Sequence, residues 1–372
     1  MKMIAVCVLA TGCLVQPGGG GGDDGQNQAQ KDVDQWNQLV AQYDARRTMF
    51  LGPDVAELAP VGDQVFWYDT TSYAYQLDRY DDTSHAQLAY TFPVGDVDTA
   101  NYRASQTTIL TADPSSDPVV YHAYAADSAE AEIANITRPQ PPDAQWDAYA
   151  IDGSTAYLVD ASTPGQTTLL RWQPGAGDPT PVTTLESAGV QVGEFEDFDV
   201  SGNTMVFVES GRVWKLDLAS NHATWLMNMT ELSGAVEIDP DGIMFSTASG
   251  LVFYDNAQAA LISVSDEIDA NTTWQPNQTF ATASSYDQDF ARWGSYVIYI
   301  GQDGVFAYDM AHDAIAPIVL SPDRADLRID YRYPVVLDDG TLYVTGLTSN
   351  DGAIGADGPT YAIDLATILP AE

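Results

Sequence analysis

Three regularities of this 372-residue sequence predict an all-β fold, a β-propeller of four-stranded blades. An aromatic-x-apolar-Asp cassette recurs with its acid at Asp78, Asp217, Asp309 and Asp364, and a looser copy ends at Asp255. Turn glycines head six units, as Gly62, Gly153, Gly202, Gly242, Gly294 and Gly340, and an irregular seventh unit centres on Gln106. Apolar runs begin near Val65, Thr108, Ala156, Met205, Ile243, Val297 and Leu342, a spacing of ~40 to 50 residues that suits one small sheet per repeat.

The unit containing Trp214 shows how each repeat is built. Residues 195–200 read as a strand, Gly202 and Asn203 form a tight turn, and residues 204–209, 212–218 and 223–227 supply three further strands. Gly and Asn accept the positive φ of a two-residue hairpin, and the β-branched and aromatic flanks suit a pleated surface. Second strands such as residues 205–208 and 297–300 are nearly continuous apolar runs, which predicts burial on both faces. A four-stranded meander of this kind cannot bury both faces until a neighbour packs on each, and radial repetition solves that problem. Seven units predict seven blades, with six or eight left open by the irregular unit. A β-sandwich or solenoid would not require the recurrent Gly and Asp.

The cassette with the following Ser220, Asn221 and Trp225 resembles the repeat of quinoprotein-type and WD-like propellers, in which Leu-Asp, a short turn and a later Trp recur. The resemblance covers residues 55–370 as architecture and one unit as a motif, and it singles out no one family. The Asp has a sufficient physical reason: its carboxylate can accept backbone N–H groups of the hairpin that follows.

At the amino terminus, Met1 and Lys2 precede a short apolar segment, and residues 9–13 end in Cys13. This resembles the lipobox of bacterial lipoproteins, with Ala10 in place of a larger aliphatic residue; the resemblance implies cleavage before Cys13 and lipidation of its thiol. The leader over 1–12 is too short for a spanning helix. Cys7 and Cys13 are the only cysteines, so the body holds no disulfide framework. Residues 13–31, with five consecutive glycines, read as a flexible tether. Val33, Trp36, Leu39, Val40 and Tyr43 then recur at helical steps, which predicts an amphipathic helix over 32–50 that caps the propeller or covers a blade edge. Residues 48–51 are expected to give the last blade its outer strand, closing a propeller over 51–372.

With 53 acidic against 14 basic residues, the formal net charge is −39. The 42 Asp and three Lys are spread along the body, a composition that fits adaptation to a saline exterior or, as the alternative, a functional demand for cations or a basic partner. Such a surface repels nucleic acid, and it leaves the membrane to be met through the lipid anchor alone.

Ligands of a propeller meet its inter-blade loops. Here those loops carry Trp146, Trp274 and Tyr286, and counting back from the turns puts Asp147, Glu196, Asp197 and Asp289 just before the innermost strands, near one channel mouth. Acids near the ends of second strands, Asp69, Asp113, Asp160 and Glu209, are expected on the same face. Hard cations take six to eight oxygens, so Asp147, Glu196 and Asp289 are the residues that would hold Ca²⁺. No contiguous calcium loop is present, and no other cofactor is called for. His85, His222 and His312 fall in turns on the opposite face and His122 in an irregular strand, which disfavours a histidine-based active site. Four Asn-x-Thr sequons, at Asn135, Asn228, Asn271 and Asn277, carry no further role. The sequence therefore predicts a monomeric, lipid-anchored, extracytoplasmic module that binds protein, peptide or glycan without catalysis. The alternative is a carbohydrate-active hydrolase or lyase working through carboxylates at the channel mouth.

Overall fold

The computed structural model describes residues 38, 40–61, 64–69, 74–78, 88–90, 102–105, 107–113, 119–125, 132–138, 149–191, 195–228, 232–247, 250–271, 290–301, 304–320, 328–350, 353–354 and 358–370. The leader, Cys13 and the tether lie outside them.

Nearly all of these residues are strands of antiparallel meanders. In chain order, β1 (Arg47–Val61), β2 (Gln64–Asp69), β3 (Ala74–Asp78) and β4 (Leu88–Tyr90) are followed by β5 (Tyr102–Ala104), β6 (Thr108–Asp113), β7 (Val119–Ala125) and β8 (Glu132–Arg138). The third sheet is β9 (Tyr149–Asp152), β10 (Thr155–Thr163), β11 (Gln166–Trp172) and β12 (Thr180–Thr184). The fourth is β13 (Phe195–Ser201), β14 (Thr204–Glu209), β15 (Arg212–Asp217) and β16 (His222–Asn228). The fifth is β17 (Leu232–Ile238), β18 (Gly242–Thr247), β19 (Gly250–Asp255) and β20 (Ala260–Ser263), and the sixth is β21 (Phe290–Trp293), β22 (Tyr296–Gly301), β23 (Gly304–Asp309) and β24 (Ala314–Leu320). Last come β25 (Arg328–Val336), β26 (Thr341–Asn350), β27 (Ala353–Ile354) and β28 (Gly358–Asp364).

This is a multi-bladed β-propeller. Its cores lie between sheets rather than within one. Tyr157, Val159 and Leu169 of the third sheet pack with Phe195, Phe198, Met205 and Phe207 of the fourth, and Val206 and Val213 of the fourth pack with Ile243 and Phe245 of the fifth. Second strands are buried on both faces as expected: all six residues of β18 are buried. The second strands begin within one residue of the positions read from the apolar runs.

The first and last sheets are one sheet, because β1 belongs to both. Its early residues pair with β28, as Arg47↔Ile363, Thr48↔Ala362 and Met49↔Tyr361, and its later residues pair with β2, as Ala59↔Phe66 and Val61↔Gln64. The pairing with β28 breaks register between Met49 and Leu51 and between Leu51 and Val55, and Val55 pairs on both sides, with Gly358 and with Asp69. Leu58 and Val65 then pack with Val335, Leu337, Tyr343 and Ala362 across the seam. The outer strand expected near residues 48–51 is thus present. The Arg47 guanidinium lies 4.5 Å from the centroid of the Tyr361 ring and bonds Asp44 at 3.2 Å.

Helical residues 40–44 precede this strand, so the helix expected over 32–50 ends before Arg47, where β1 begins; Val40 is buried and Tyr43 lies against the core shared by the fifth and sixth sheets. Arg46 Nη1 donates to the Pro317 carbonyl of β24 at 2.9 Å.

The cassette acids cap the turns that follow them. Asp217 Oδ1 accepts the N–H groups of Ala219 (2.9 Å) and Ser220 (2.8 Å), Asp255 those of Ala257 (2.7 Å) and Gln258 (3.0 Å), and Asp309 that of Ala311 (2.9 Å). Four residues after each acid the chain turns left-handed, at Asn221 (φ 54°), Ala259 (φ 50°) and Asp313 (φ 51°). Asn and Asp tolerate that conformation; Ala does so at a cost of ~1 kcal/mol. Ala259→Gly is therefore expected to raise the unfolding free energy by about 0.5–1 kcal/mol, measured by urea titration. An unchanged or lowered midpoint would contradict this account of the turn.

Three expectations are corrected. Gly242 is not in a turn: Pro240-Asp241 forms it, and Gly242 opens β18 where an added Cβ would lie 2.3 Å from the Tyr254 carbonyl oxygen. Asp160 stands within β10, which runs on to Thr163. The segment after Ser263 begins as a helix, Val264–Asn271, rather than as loop. Ser263 Oγ accepts the Asp266 N–H at 3.3 Å, Asp266 and Glu267 sit at the positive end of the helix, and Val264 and Ile268, one turn apart, are buried.

Candidate functional site

The two rims of the ring differ. On one, first and second strands join through tight turns of two or three residues. On the other, successive sheets join through residues 139–148, 272–289 and 321–327. Trp146, Asp147, Trp274, Tyr286 and Asp289 all belong to these long connections and lie outside the described residues. Glu196 and Asp197 are in β13, where the register shifts between Phe195 and Asp197, so that Glu196 occupies an irregularity at the start of its strand. Among the described residues no group of three or more His, Cys, Asp or Glu could hold a metal ion.

The charged groups that the described residues bring together lie at the opposite, tight-turn rim. Arg103, Asp199 and Glu237 occupy equivalent places on β5, β13 and β17, two residues before the end of each first-strand hairpin arm, opposite Leu110, Val206 and Met244. Burial pushes the Asp199 carboxyl up, with the Asp152 charge adding to it, against the Arg103 guanidinium and the Val200 N–H, which donates to Asp199 Oδ1 at 2.8 Å. Glu237 is pushed up to about 8, first by burial and next by the Asp239 charge; Asp199 adds to the rise, and Arg292 opposes it through both its guanidinium and its main-chain N–H. Residues of five sheets therefore feel one another near the axis.

Arg292 is the hub. Its Nη1 donates to Asp239 Oδ2 at 2.7 Å and Asp241 Oδ1 at 3.0 Å, and its Nη2 donates to Asp241 Oδ2 at 3.1 Å. The side chain is 5% exposed and its guanidinium lies 5.2 Å from the centroid of the Phe253 ring. Arg292 holds the Asp241 carboxyl below its ordinary range, while burial keeps Asp239 above its own despite the same partner. Burial alone would lower the guanidinium; the Asp241 and Asp239 carboxylates hold it charged, and Glu237 adds to this when ionised.

The same rim is stapled from sheet to sheet by the last residue of the first strand or its neighbour in the turn. Ser105 Oγ donates to the Gly153 carbonyl, Asp152 Oδ2 accepts the Gly202 N–H at 2.9 Å, and Asp239 takes Arg292. The Trp293 ring packs on Gly340, where a Cβ would meet it at 2.7 Å. The expectation of convergent acids thus has a counterpart on the rim that sequence counting left aside. The signal that could have found it is a charged residue two places before a tight turn, in strands otherwise apolar.

The described histidines do not gather there. His312 Nδ1 bonds Asp309 within its own turn at 2.7 Å, His222 is exposed at the start of β16, and His122 bonds Glu132 at 2.8 Å on the second sheet.

No protein-family model and no curated protein sequence matches the chain. Among solved structures it is similar to a prolyl endopeptidase, at 13% identity over 92% of this chain and 56% of the other, with a TM-score of 0.49. It is also similar to PorZ, a surface component of the type-IX secretion system of Porphyromonas gingivalis (10% identity, 88% and 39% covered, TM-score 0.47), and to BamB from Moraxella catarrhalis (13%, 68% and 93%, TM-score 0.34). The chain spans about half of the first of these proteins and less of the second. At such identities none of their activities passes to this chain.

Proposed function

We propose that this chain is a non-enzymatic binding or scaffolding module, a closed seven-bladed ring held outside the cytoplasm by a lipid on Cys13, which takes a protein, peptide or glycan on the rim of long connections. The observation that carries this reading is the difference between the rims. One rim spends its charged and aromatic groups on staples between sheets, as in Arg292 with Asp239 and Asp241 and Trp293 on Gly340. The other carries the connections at 139–148, 272–289 and 321–327, with Trp146, Trp274 and Tyr286. A rigid frame under long aromatic-bearing connections is the usual layout of a recognition surface.

No helix among the described residues is long and apolar enough to cross a membrane, and the anchor proposed here requires none. The acidic surface makes nucleic acid a poor ligand and favours partners that offer basic or neutral groups.

The test is a glycan and peptide array read with the intact chain and with a Trp146→Ala/Trp274→Ala/Tyr286→Ala variant. A loss of at least tenfold in binding at an unchanged melting temperature is expected. Equal binding by both proteins removes this rim from the proposal, and release of shortened glycan by the wild type replaces it with the carbohydrate-active reading. Addition of millimolar Ca²⁺ to the same samples tests Asp147, Glu196 and Asp289 as cation ligands, since only bound Ca²⁺ raises the melting temperature beyond what Mg²⁺ gives. Mass spectrometry of the mature amino terminus tests the anchor: an unmodified Cys13 in the native host overturns it.

A further inference from the structure

We propose that the seam between the fifth and sixth sheets is a protonation latch, closed while Glu237 carries its proton and loosened when that proton leaves. Glu237, in β17, stands two residues before Asp239, which with Asp241 bonds the single guanidinium of Arg292, so three carboxyl groups share the surroundings of one cation. Asp239 and Asp241 already occupy Nη1 and Nη2 at 2.7 to 3.1 Å. What remains for Glu237 is the main-chain N–H of Arg292, and beyond it stands Asp199 of the fourth sheet, itself faced by Arg103 and Asp152. Two carboxylates balance more than the whole charge of one guanidinium. Among the described residues Arg292 is the cation that opposes a charge on Glu237, and it already faces two carboxylates, so the uncharged acid is the form that fits.

The direction of the shift at Glu237, raised to about 8, agrees with this count. A carboxyl whose folded value is raised favours folding at pH below the ordinary glutamate range, and that contribution is lost as pH rises through the folded value. The window therefore runs from about 4.5 to about 8. Within it, loss of the proton sets Glu237 against Asp239 in its own hairpin and Asp199 in the neighbouring sheet. The parts held by the latch are the turn joining β17 to β18 and the strand β21. Their loosening would widen the tight-turn mouth of the ring without a change elsewhere.

Hydrogen exchange on the intact chain tests this at pH 6 and pH 9, with rates corrected for the intrinsic effect of pH. Amides of residues 239–242 and of Phe290–Trp293 are expected to exchange at least tenfold faster at pH 9, while those of Gln166–Trp172 stay level. Glu237→Gln should abolish the difference, and Asp199→Asn should move its midpoint to lower pH. The latch is overturned if the seam amides are level at both pH values in the wild type, or if Glu237→Gln keeps the response. Should Glu237→Gln fail to fold, the wild-type midpoint decides: near pH 8 it supports the latch, and near 4.5 it removes it. The readout involves neither ligand nor anchor, so it stands apart from the test of function.

Discussion

Arg292→Ala is expected to lower the unfolding free energy by roughly 2–4 kcal/mol, the largest single-residue effect outside the apolar cores. Removing one partner of a buried ion pair costs about 3–5 kcal/mol, because the carboxylates left behind lose their cation while keeping their desolvation. The lower figure follows from exposure: Asp239 is 31% and Asp241 59% exposed, so water takes over part of what the guanidinium supplied. Arg292→Lys keeps the charge and loses the fork that reaches both carboxylates, so about half of the loss should remain. Urea titration of the three proteins at pH 7 checks this. A loss below about 1 kcal/mol in Arg292→Ala would show that the hub is screened like a surface pair.

Deletion of residues 38–51 is expected to cost more, on the order of 5 kcal/mol, and to produce association. It removes the pairing of Arg47, Thr48, Met49 and Leu51 with β28, at about 1 kcal/mol for each ladder hydrogen bond, together with burial of Val40 worth about 1.5–3 kcal/mol. It also leaves β28 as an uncovered edge, a template for pairing with another chain. Light scattering and denaturant midpoints should separate this deletion from removal of residues 1–31, for which the tether reading predicts no loss of stability. Equal behaviour of the two would mean that the shared strand does not hold the ring.

Much of the architecture was legible because it rests on short-range chemistry. The second strands are apolar on both faces and so stand out as runs, and Asp217, Asp255 and Asp309 sit where a carboxylate can cap the next turn. The outer-strand role of residues 48–51 followed from a last sheet otherwise one strand short. The helix Val264–Asn271 was missed because only Val264 and Ile268 mark its apolar face. Its stability comes from packing and from acids at its start, neither of which makes a period.

The axial cluster was hidden for another reason. Its members are separated by whole repeats, and the register that aligns Arg103 with Asp199 and Glu237 appears only when hairpins are matched by their pairing. Two of those three hairpins lack the turn glycine by which repeats were counted: Gln106 stands in one, and Pro240 with Asp241 in the other. The predicted carboxylates Asp147 and Asp289 precede the innermost strands in sequence and lie outside the described residues.

The strand shared by first and last sheets also sets an order of events. Arg47 and Thr48 are made, and in an exported chain delivered, long before their partners Ile363 and Ala362 exist. Every other sheet can form from neighbouring sequence, but this one closes across nearly the whole chain, the slowest kind of contact to find. The ring is therefore completed once, at the end, and a chain interrupted anywhere before β28 carries a leading strand whose early residues lack their β28 partners.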